Sequence, residues 1–254
     1  MNTISRDTLT NYLDELLHTT PFRDVAVNGL QFPGKSLVTK IGVATDASED
    51  TFLACAEKGI DYLFVHHGIF WTYAKESAIT EIKKRKLKLL FDQDFSLFAS
   101  HIPLDMHPEV GNNISLLNLL GLEYTMPLVT VEGETMGVVG SQTPQDFSSF
   151  CLNLEQKLGP ILRQYQFHSN PVNRVGIITG QGQAGITAAK KCGFDTFITG
   201  EMNHYSYHTA KELGVNVILA GHYLSETLGV KAVAQKIANQ FQIPWEFLDF
   251  PTGL

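Results

Sequence analysis

The chain has 254 residues, 44% of them hydrophobic and 18% charged, with a formal net charge of −7. That length allows one large domain or two smaller ones, each with a core of its own. The acidic balance argues against a protein whose main task is to hold nucleic acid by its phosphates, because that affinity comes from clustered Lys and Arg. No apolar stretch approaches a membrane span. Arg6, Asp7, Asp14 and Glu15 interrupt the region where a signal peptide carries its apolar core, so a cytoplasmic protein is expected. Cys55, Cys151 and Cys192 are widely spaced and form no Cys-x-x-Cys pair, which argues against a disulfide framework or a thiolate metal site.

From the N-terminus, Leu9, Tyr12, Leu13, Leu16 and Leu17 form a stripe that predicts a helix over residues 6–17. Ile41 to Ala44 reads as a strand, followed by small and polar residues, a helical stretch, the helix-stopping Gly59 and a second apolar run, Tyr62 to Val65. That run ends in His66 and His67, with Gly68 after them. Neighbouring side chains on a strand point to opposite faces, so two can converge only where the strand ends and the backbone turns, which is where α/β folds place their sites. Lys83-Lys84-Arg85-Lys86, with Lys88, reads as a solvated helix face. After the apolar run Phe95 to Ser100 come His101 and, at i+4, Asp105; Pro103 between them disfavours a regular helix and favours an extended or turned backbone. Gly111-Asn112-Asn113 leads into a helix over Ile114 to Leu120 stopped by Gly121. Met126 to Ser141, with Gly133, Gly137 and Gly140, reads as strands and turns, and Phe147 to Leu158 as a helix.

An internal repeat organises the chain. Ile41 to Val65 aligns without a gap on Val175 to Thr199 at a shift of 134, the separation of Ile41 from Val175. Gly42 meets Gly176, Thr45 meets Thr179, Ala54 meets Ala188, Gly59 meets Gly193 and Asp61 meets Asp195. Each copy reads strand, helix, strand, and the helix-ending Gly before a second apolar run suits a parallel crossover. After a change of offset, Leu97 to His101 parallels Ile218 to His222, setting His101 on His222 and Asp105 on Glu226. By the first shift, His66 and His67 fall on Gly200 and Glu201. The expected organisation is an α/β fold of two αβ repeats, residues 1–125 and 126–254, with no low-complexity linker between them.

His66, His67, Asp105, His222 and Glu226 read together as one metal site assembled from strand ends. Imidazole with carboxylate suits Zn, Fe, Mn or Ni. Three nitrogens and two carboxylates are more donors than one catalytic ion needs and few for two, so two ions would keep positions open for water or substrate. Hydrolysis is the default chemistry of such ions, which activate water and steady the negative charge that develops. His101 is expected to orient a ligand or move a proton from behind the ligands. Set against this, His222 and Glu226 at i and i+4 suit a simple helix pair worth a few tenths of a kcal/mol. His107, before Pro108, reads as a solvent-facing turn residue. Glu201 is a candidate base and His204 a candidate substrate contact, while His18, His168 and His208 have no company and receive no chemistry. The loop Gly180-Gln181-Gly182-Gln183-Ala184-Gly185 has the layout of a phosphate cradle, but its partner in the first copy is Asp46-Ala47-Ser48-Glu49-Asp50, so a tight turn without a ligand is expected. Asp46 to Ser48 reads as an N-cap.

These motifs resemble the Nif-three-like family, whose bacterial members are called dinuclear-metal-centre proteins or GTP cyclohydrolase 1 type 2 homologues. The resemblance runs through Val27-Asn28-Gly29-Leu30-Gln31, Val65-His66-His67-Gly68-Ile69-Phe70-Trp71, Ser100 to Pro108, Val110-Gly111-Asn112-Asn113, Ile198-Thr199-Gly200-Glu201 and Gly221-His222-Tyr223-Leu224-Ser225-Glu226. It implies two intertwined αβ repeats with mixed β-sheets and a metal site between the repeats. His66, His67, Asp105, His222 and Glu226 would be the ligands of two divalent metal ions, with His101 close to the centre. It implies a homo-oligomer, a toroidal hexamer, and the short stretch from Met126 to Val172 leaves no room for an inserted domain. The function expected on this footing is a dinuclear metal-dependent hydrolase of a small polar substrate such as a nucleotide, with no catalytic residue assigned. The alternative is a non-catalytic, metal-loaded hexameric ring that binds a partner protein or a metabolite. Neither membrane nor nucleic acid is an expected partner.

Overall fold

The computed structural model describes residues 2–18, 24–72, 78–129 and 135–254. The chain forms two compact units: Met1–Leu104 with Gly229–Phe250, and Asp105–Leu228 with Pro251–Leu254. It therefore leaves the first unit after Leu104 and returns to it at Gly229, inside the helix His222–Phe241. The return adds a strand to the first unit's sheet.

That sheet has five strands in the order Trp245–Phe247, Ile41–Asp46, Tyr62–His67, Ser96–Ala99 and Gly29–Phe32. The first four run parallel, and Gly29–Phe32 closes the edge antiparallel. Parallel strands are covered on both faces and need near-continuous apolar runs; Tyr62 to Val65 and Leu97 to Ala99 are such runs, and all are buried. On one face Leu63, Val65, Leu97 and Ala99 pack with Phe52 and Cys55 of the helix Glu49–Lys58 and Leu90 of the helix Glu81–Gln93. On the other, Phe98 stacks on Tyr62 and Phe64, and the Tyr62 hydroxyl meets Thr10 of the helix Arg6–Leu17 at 2.9 Å. This first helix spans the predicted residues and buries Leu9, Leu13 and Leu17.

The second unit holds six strands in the order Glu123–Val129, Thr135–Gln145, Val172–Ile178, Thr196–Thr199, Asn216–Leu219 and Arg163–Tyr165. Val172–Ile178, Thr196–Thr199 and Asn216–Leu219 run parallel, and their neighbours on either side are antiparallel. The helices Asn112–Leu120 and Phe147–Leu158 lay Leu116, Leu117, Phe150 and Leu154 against Val175, Ile177, Ile198 and Ile218. Ile186, Ala189, Phe194 and Ala210 cover Val139, Ile178, Phe197 and Val217. The expected strands within Met126 to Ser141 are present where the structure describes them; Gly133 and its neighbours, 130–134, lie outside the described residues.

The 134-residue repeat is a repeat of structure. Ile41 pairs with Tyr62 as Val175 pairs with Thr196, each pair displaced by the same shift. A Cβ on Gly42 would sit 3.0 Å from Ile60, and one on Gly176 would sit 2.9 Å from Phe194, so each glycine makes room for the apolar residue that follows the helix. Gly59 and Gly193 both cap their helices in the left-handed region, at φ 62° and 70°, where a side chain is strained. Asp61 accepts from the Thr39 N–H at 2.9 Å and its counterpart Asp195 from the Asn173 N–H at 3.1 Å, two residues before Ile41 and Val175, so each ties the second strand to the same point of the first. The copies differ in their helical stretch: the second is a 3₁₀ helix, Gln183–Ala188, followed by one turn, Ala189–Cys192. Gly182 at its start offers no side-chain cap, and Gly182 and Gly185 add backbone freedom that works against an α-helix.

Two expectations are corrected. Strand pairing sets Ala99 beside Val65 and Leu219 beside Thr199, a shift of 120, the separation of Ala99 from Leu219. This is one less than the offset that paired Leu97 with Ile218. The additional residue is taken up after the strand, where Gly221 turns at φ 90°, so His101 and His222 are not strict equivalents. Ile102–Asp105 makes one helical turn despite Pro103, because a first-turn proline removes an N–H that would have no intrahelical partner.

The basic run behaves as a solvated helix face. Arg85 forks onto Glu49 at 3.0 to 3.1 Å, Lys86 donates to the Ala47 carbonyl at 2.7 Å, and Lys88 meets Asp92. Burial pushes the Cys55 and Cys151 thiols up to about 12, so they stay protonated and act as small apolar fillers. Among the described residues no helix is long and apolar enough to cross a membrane.

Burial raises the Asp61 pKa, but the Thr39 hydroxyl and N–H and the Lys35 ammonium outweigh it and hold the carboxyl below its ordinary value. A depressed folded-state pKa means that the stabilisation is present above the unfolded carboxylate pKa and is lost as pH falls through the folded one. Asp61→Asn should cost about 1–3 kcal/mol at neutral pH. Urea unfolding should show the gap to wild type narrowing on acidification, and a gap independent of pH would refute this account.

Candidate metal centre

In the first unit, His66 and His67 are the last residues of the strand Tyr62–His67, and their ring centroids lie 4.4 Å apart. His101, just past the end of the neighbouring strand Ser96–Ala99, brings its ring within 5.1 Å of His66 and 5.5 Å of His67. Each of the three offers a ring nitrogen within 4.8 Å of the others, a spacing that can hold a metal ion. The convergence expected at the strand end is therefore realised, and three imidazoles take part.

Each ring is held by its Nδ1. His66 Nδ1 lies 3.0 Å from the Ser100 carbonyl, His67 Nδ1 2.8 Å from Asp46 Oδ1, and His101 Nδ1 2.8 Å from Asp24 Oδ1. A carbonyl or an ionised carboxylate can only accept, so Nδ1 carries the proton in all three and Nε2 is left as the donor atom. Asp46 is available because its strand runs parallel to the next in a register that sets it beside His67. Asp24 is almost wholly buried, at 2% side-chain exposure. Burial pushes its pKa up, but hydrogen bonds from His101, the Ala26 N–H and the Asn28 amide outweigh it and hold the carboxyl well below the usual range.

In the second unit, His222 and Glu226 stand one turn apart at the start of the helix His222–Phe241, with His222 Nε2 3.1 Å from Glu226 Oε2. The His222 Nδ1 faces Glu201 Oε1 at 2.8 Å, which repeats the anchoring found in the first unit. Asp105 places a carboxylate oxygen within 4.8 Å of one from Glu226. Asp105 receives the Asn112 amide at 2.8 Å and the Thr179 hydroxyl at 3.4 Å. A Cβ on Gly180 would collide with Glu226 Oε1, so only glycine lets that carboxylate lie over the loop. An imidazole nitrogen and a carboxylate 3.1 Å apart need a positive species between them. Here a proton serves: the hydrogen bond to Glu226, working against burial and helped by Glu201, raises His222 to about 9. A divalent cation meets the same demand, and an Nδ1-anchored imidazole beside the buried Glu226 carboxylate suits such an ion.

The sequence model of the family described as Duf34/NIF3 (NGG1p interacting factor 3) matches residues 4–252. The chain belongs to the Duf34/NIF3 family. It is 40% identical over 253 residues to a Deinococcus radiodurans protein named "GTP cyclohydrolase 1 type 2 homolog", covering 99% of this chain and 95% of that one. Among solved structures it resembles "protein ybgI, unknown function" at TM-score 0.93 and 32% identity, and TTHA1606 from Thermus thermophilus at 0.88 and 39%, each over 99% of this chain and 100% of the other.

Several motifs of this Duf34/NIF3 chain now have physical roles. Asn28 donates to Asp24 and accepts the His101 N–H at 2.7 Å, and Gln31 accepts the Ile69 N–H, so the Val27–Gln31 segment braces the turns that carry His66, His67 and His101. Asn113 donates to the Asp105 carbonyl and accepts the Thr179 N–H, fixing the turn that carries Asp105. Ser48, as expected, caps the following helix, whereas Asp46 serves His67. Glu201, read as a candidate base, positions His222. In the Gly180 loop, the N–H of Gly180 goes to Ser225 and that of Gly182 to Thr199, so these groups hold the tight turn that the sequence suggests.

The other histidines stand apart. His107 is buried rather than solvent-facing, and its Nδ1 accepts the N–H groups of Glu109 and Val110. His168 donates to the Asp195 carbonyl, His18 caps a helix, and His204 and His208 pack against each other on an exposed helix face. No sequence signal marks Asp24 or the Ser100 carbonyl as anchors. The signal for Asp46 is its place at the end of an apolar run predicted to neighbour the His66–His67 strand.

Removing an anchor should loosen the ring without unfolding the protein. Asp46→Ala and Glu201→Ala are expected to weaken divalent-metal binding by about 10–100-fold, while Asp46→Asn, whose amide oxygen still accepts, recovers part of the loss. Competition with a chromogenic chelator measures this, and unchanged affinity in both Ala variants would show that the Nδ1 acceptors do not set the donor geometry.

Proposed function

We propose that His66 and His67 from one unit, with Asp105, His222 and Glu226 from the other, hold two divalent metal ions, and that the protein is a metal-dependent hydrolase of a small polar substrate such as a nucleotide. The observation that carries the reading is the common anchoring of His66, His67 and His222 through Nδ1, which presents Nε2 from each. Buried polar rings can be satisfied at either nitrogen, and metal sites are where one consistent choice is needed. Bound divalent ions would lower the pKa of water and steady negative charge on the substrate. Zn, Fe, Mn and Ni suit the donor set.

The remaining groups divide the work around that centre. His101, held by Asp24 at 2.8 Å, stands beside His66 and His67 and is the residue best placed to orient a ligand or move a proton. Asp46 and Glu201 fix the tautomers of His67 and His222. The name carried by the Deinococcus radiodurans relative supports a nucleotide or a pterin precursor as substrate. The family resemblance supports a homohexamer, whose mass in light scattering would be six times the 28.2 kDa of the chain.

The test loads purified protein with Mn, Zn or Fe and screens nucleotides, phosphoesters and cyclic amides. His67→Ala and Glu226→Ala should both lose bound metal, measured by elemental analysis, and should reduce turnover by at least about 100-fold, the scale of losing a group that stabilises developing charge. Metal lost in both variants, with no turnover in wild type on any substrate, would replace the hydrolase with a metal-loaded binding ring.

A further inference from the structure

The second unit contains a cavity of about 260 Å³ whose walls include Asp105, Met106, Ile114, Tyr124, Pro127 and Val138. It is distinctly larger than the roughly 150 Å³ cavity that takes up a benzene ring. Ile114 and Val138 pack from behind into the core shared by the helix Asn112–Leu120 and the six-stranded sheet, so these walls are part of the fold. Tyr124, half exposed, stands at the mouth.

Of the polar side chains on the lining, Asn113 and His107 are already employed within the protein, which leaves the Tyr124 and Thr135 hydroxyls on the wall. The Asn113 amide gives its N–H to the Asp105 and Met136 carbonyls and its oxygen to Thr179. His107 Nδ1 is taken by two backbone N–H groups. Two hydroxyls are few beside the apolar wall, so recognition in this space rests mainly on shape and apolar contact. Apolar surface beside a proposed metal ligand is what a substrate with a ring next to its reacting polar group requires.

We propose that the small molecule held at Asp105 carries an aromatic or apolar ring, which sits in this pocket. The inference rests on Asp105 being a metal ligand only for the placing of the polar end; the ring site stands on the pocket alone. It narrows the substrate class from any polar metabolite to a ring-bearing one in which the ring is gripped mainly by contact rather than by hydrogen bonds.

The probes are benzohydroxamate and acetohydroxamate, which share a metal-binding head and differ in a phenyl against a methyl group, and toluene, which has no head. On Mn-loaded protein, benzohydroxamate should bind at least tenfold more tightly than acetohydroxamate. Ile114→Phe, which fills the pocket, and Tyr124→Ala, which removes the wall at its mouth, should erase most of that difference and leave acetohydroxamate binding unchanged. Thermal melting checks that both variants remain folded. On metal-free protein, saturation-transfer NMR should detect toluene with wild type and not with Ile114→Phe. Equal affinity for the two hydroxamates, together with no toluene signal, would overturn the proposal. Loss of both hydroxamates with the toluene signal retained would overturn the metal reading alone and support the ring site.

Discussion

The arrangement of the candidate centre depends on where one proton sits on each imidazole. A histidine can bind a cation through either ring nitrogen, and an unrestrained ring samples both tautomers and several rotamers. Here His66, His67, His101 and His222 each have an acceptor opposite Nδ1: a backbone carbonyl for the first, carboxylates for the others. The acceptors come from Ser100, Asp46, Asp24 and Glu201, which lie on or just after strands or on the segment entering the sheet. Strand register thus becomes ring orientation. A one-residue slip between Ile41–Asp46 and Tyr62–His67 would move Asp46 off His67 and turn the apolar set of the strand to the other face.

The two repeats show how one scaffold came to carry different donors. Gly42 and Gly176, Gly59 and Gly193, and Asp61 and Asp195 keep the same jobs in both copies: room for the residue after the helix, the left-handed cap, and the tie to the incoming chain. The differences lie at the strand ends. Where the first copy has Asp46, the second has Gly180, because the Glu226 carboxylate occupies the space a side chain would need. Where the first copy has His67, the second has Glu201, which supports a histidine instead of being one. Packing positions match between the copies, whereas the strand-end positions differ.

That division also explains what can be read from the sequence. The helices over Arg6–Leu17 and Phe147–Leu158, the strand-helix-strand units and the left-handed glycine caps follow from periodicity and from local backbone chemistry, so they are legible. The His66–His67 convergence is legible because it needs only a strand and its end. Asp24 is not, because it reaches His101 from far along the chain and no local pattern marks it. The offset between the later segments misses by one residue, since matching His101 to His222 is a chemical resemblance and the pairing of Ala99 and Leu219 is a geometric one. At Ile102–Asp105 the presence of a proline suggests a broken backbone, but its position decides, and in a first turn it costs nothing in hydrogen bonding.

The carboxylates carry the last step. Glu226 is buried at 2% exposure, and a buried carboxylate has to be neutralised by a proton, a cationic side chain or a metal ion. Asp105 is steadied by the Asn112 amide and the Thr179 hydroxyl, both neutral. Asp105 and Glu226 offer oxygens within 4.8 Å of each other, and a positive charge near the pair relieves their repulsion. The raised pKa of His222 reflects a proton on that ring answering the Glu226 carboxylate, and a proton satisfies one pair of atoms at a time. An ion of higher charge satisfies several at once, which is the physical ground for proposing a divalent ion there.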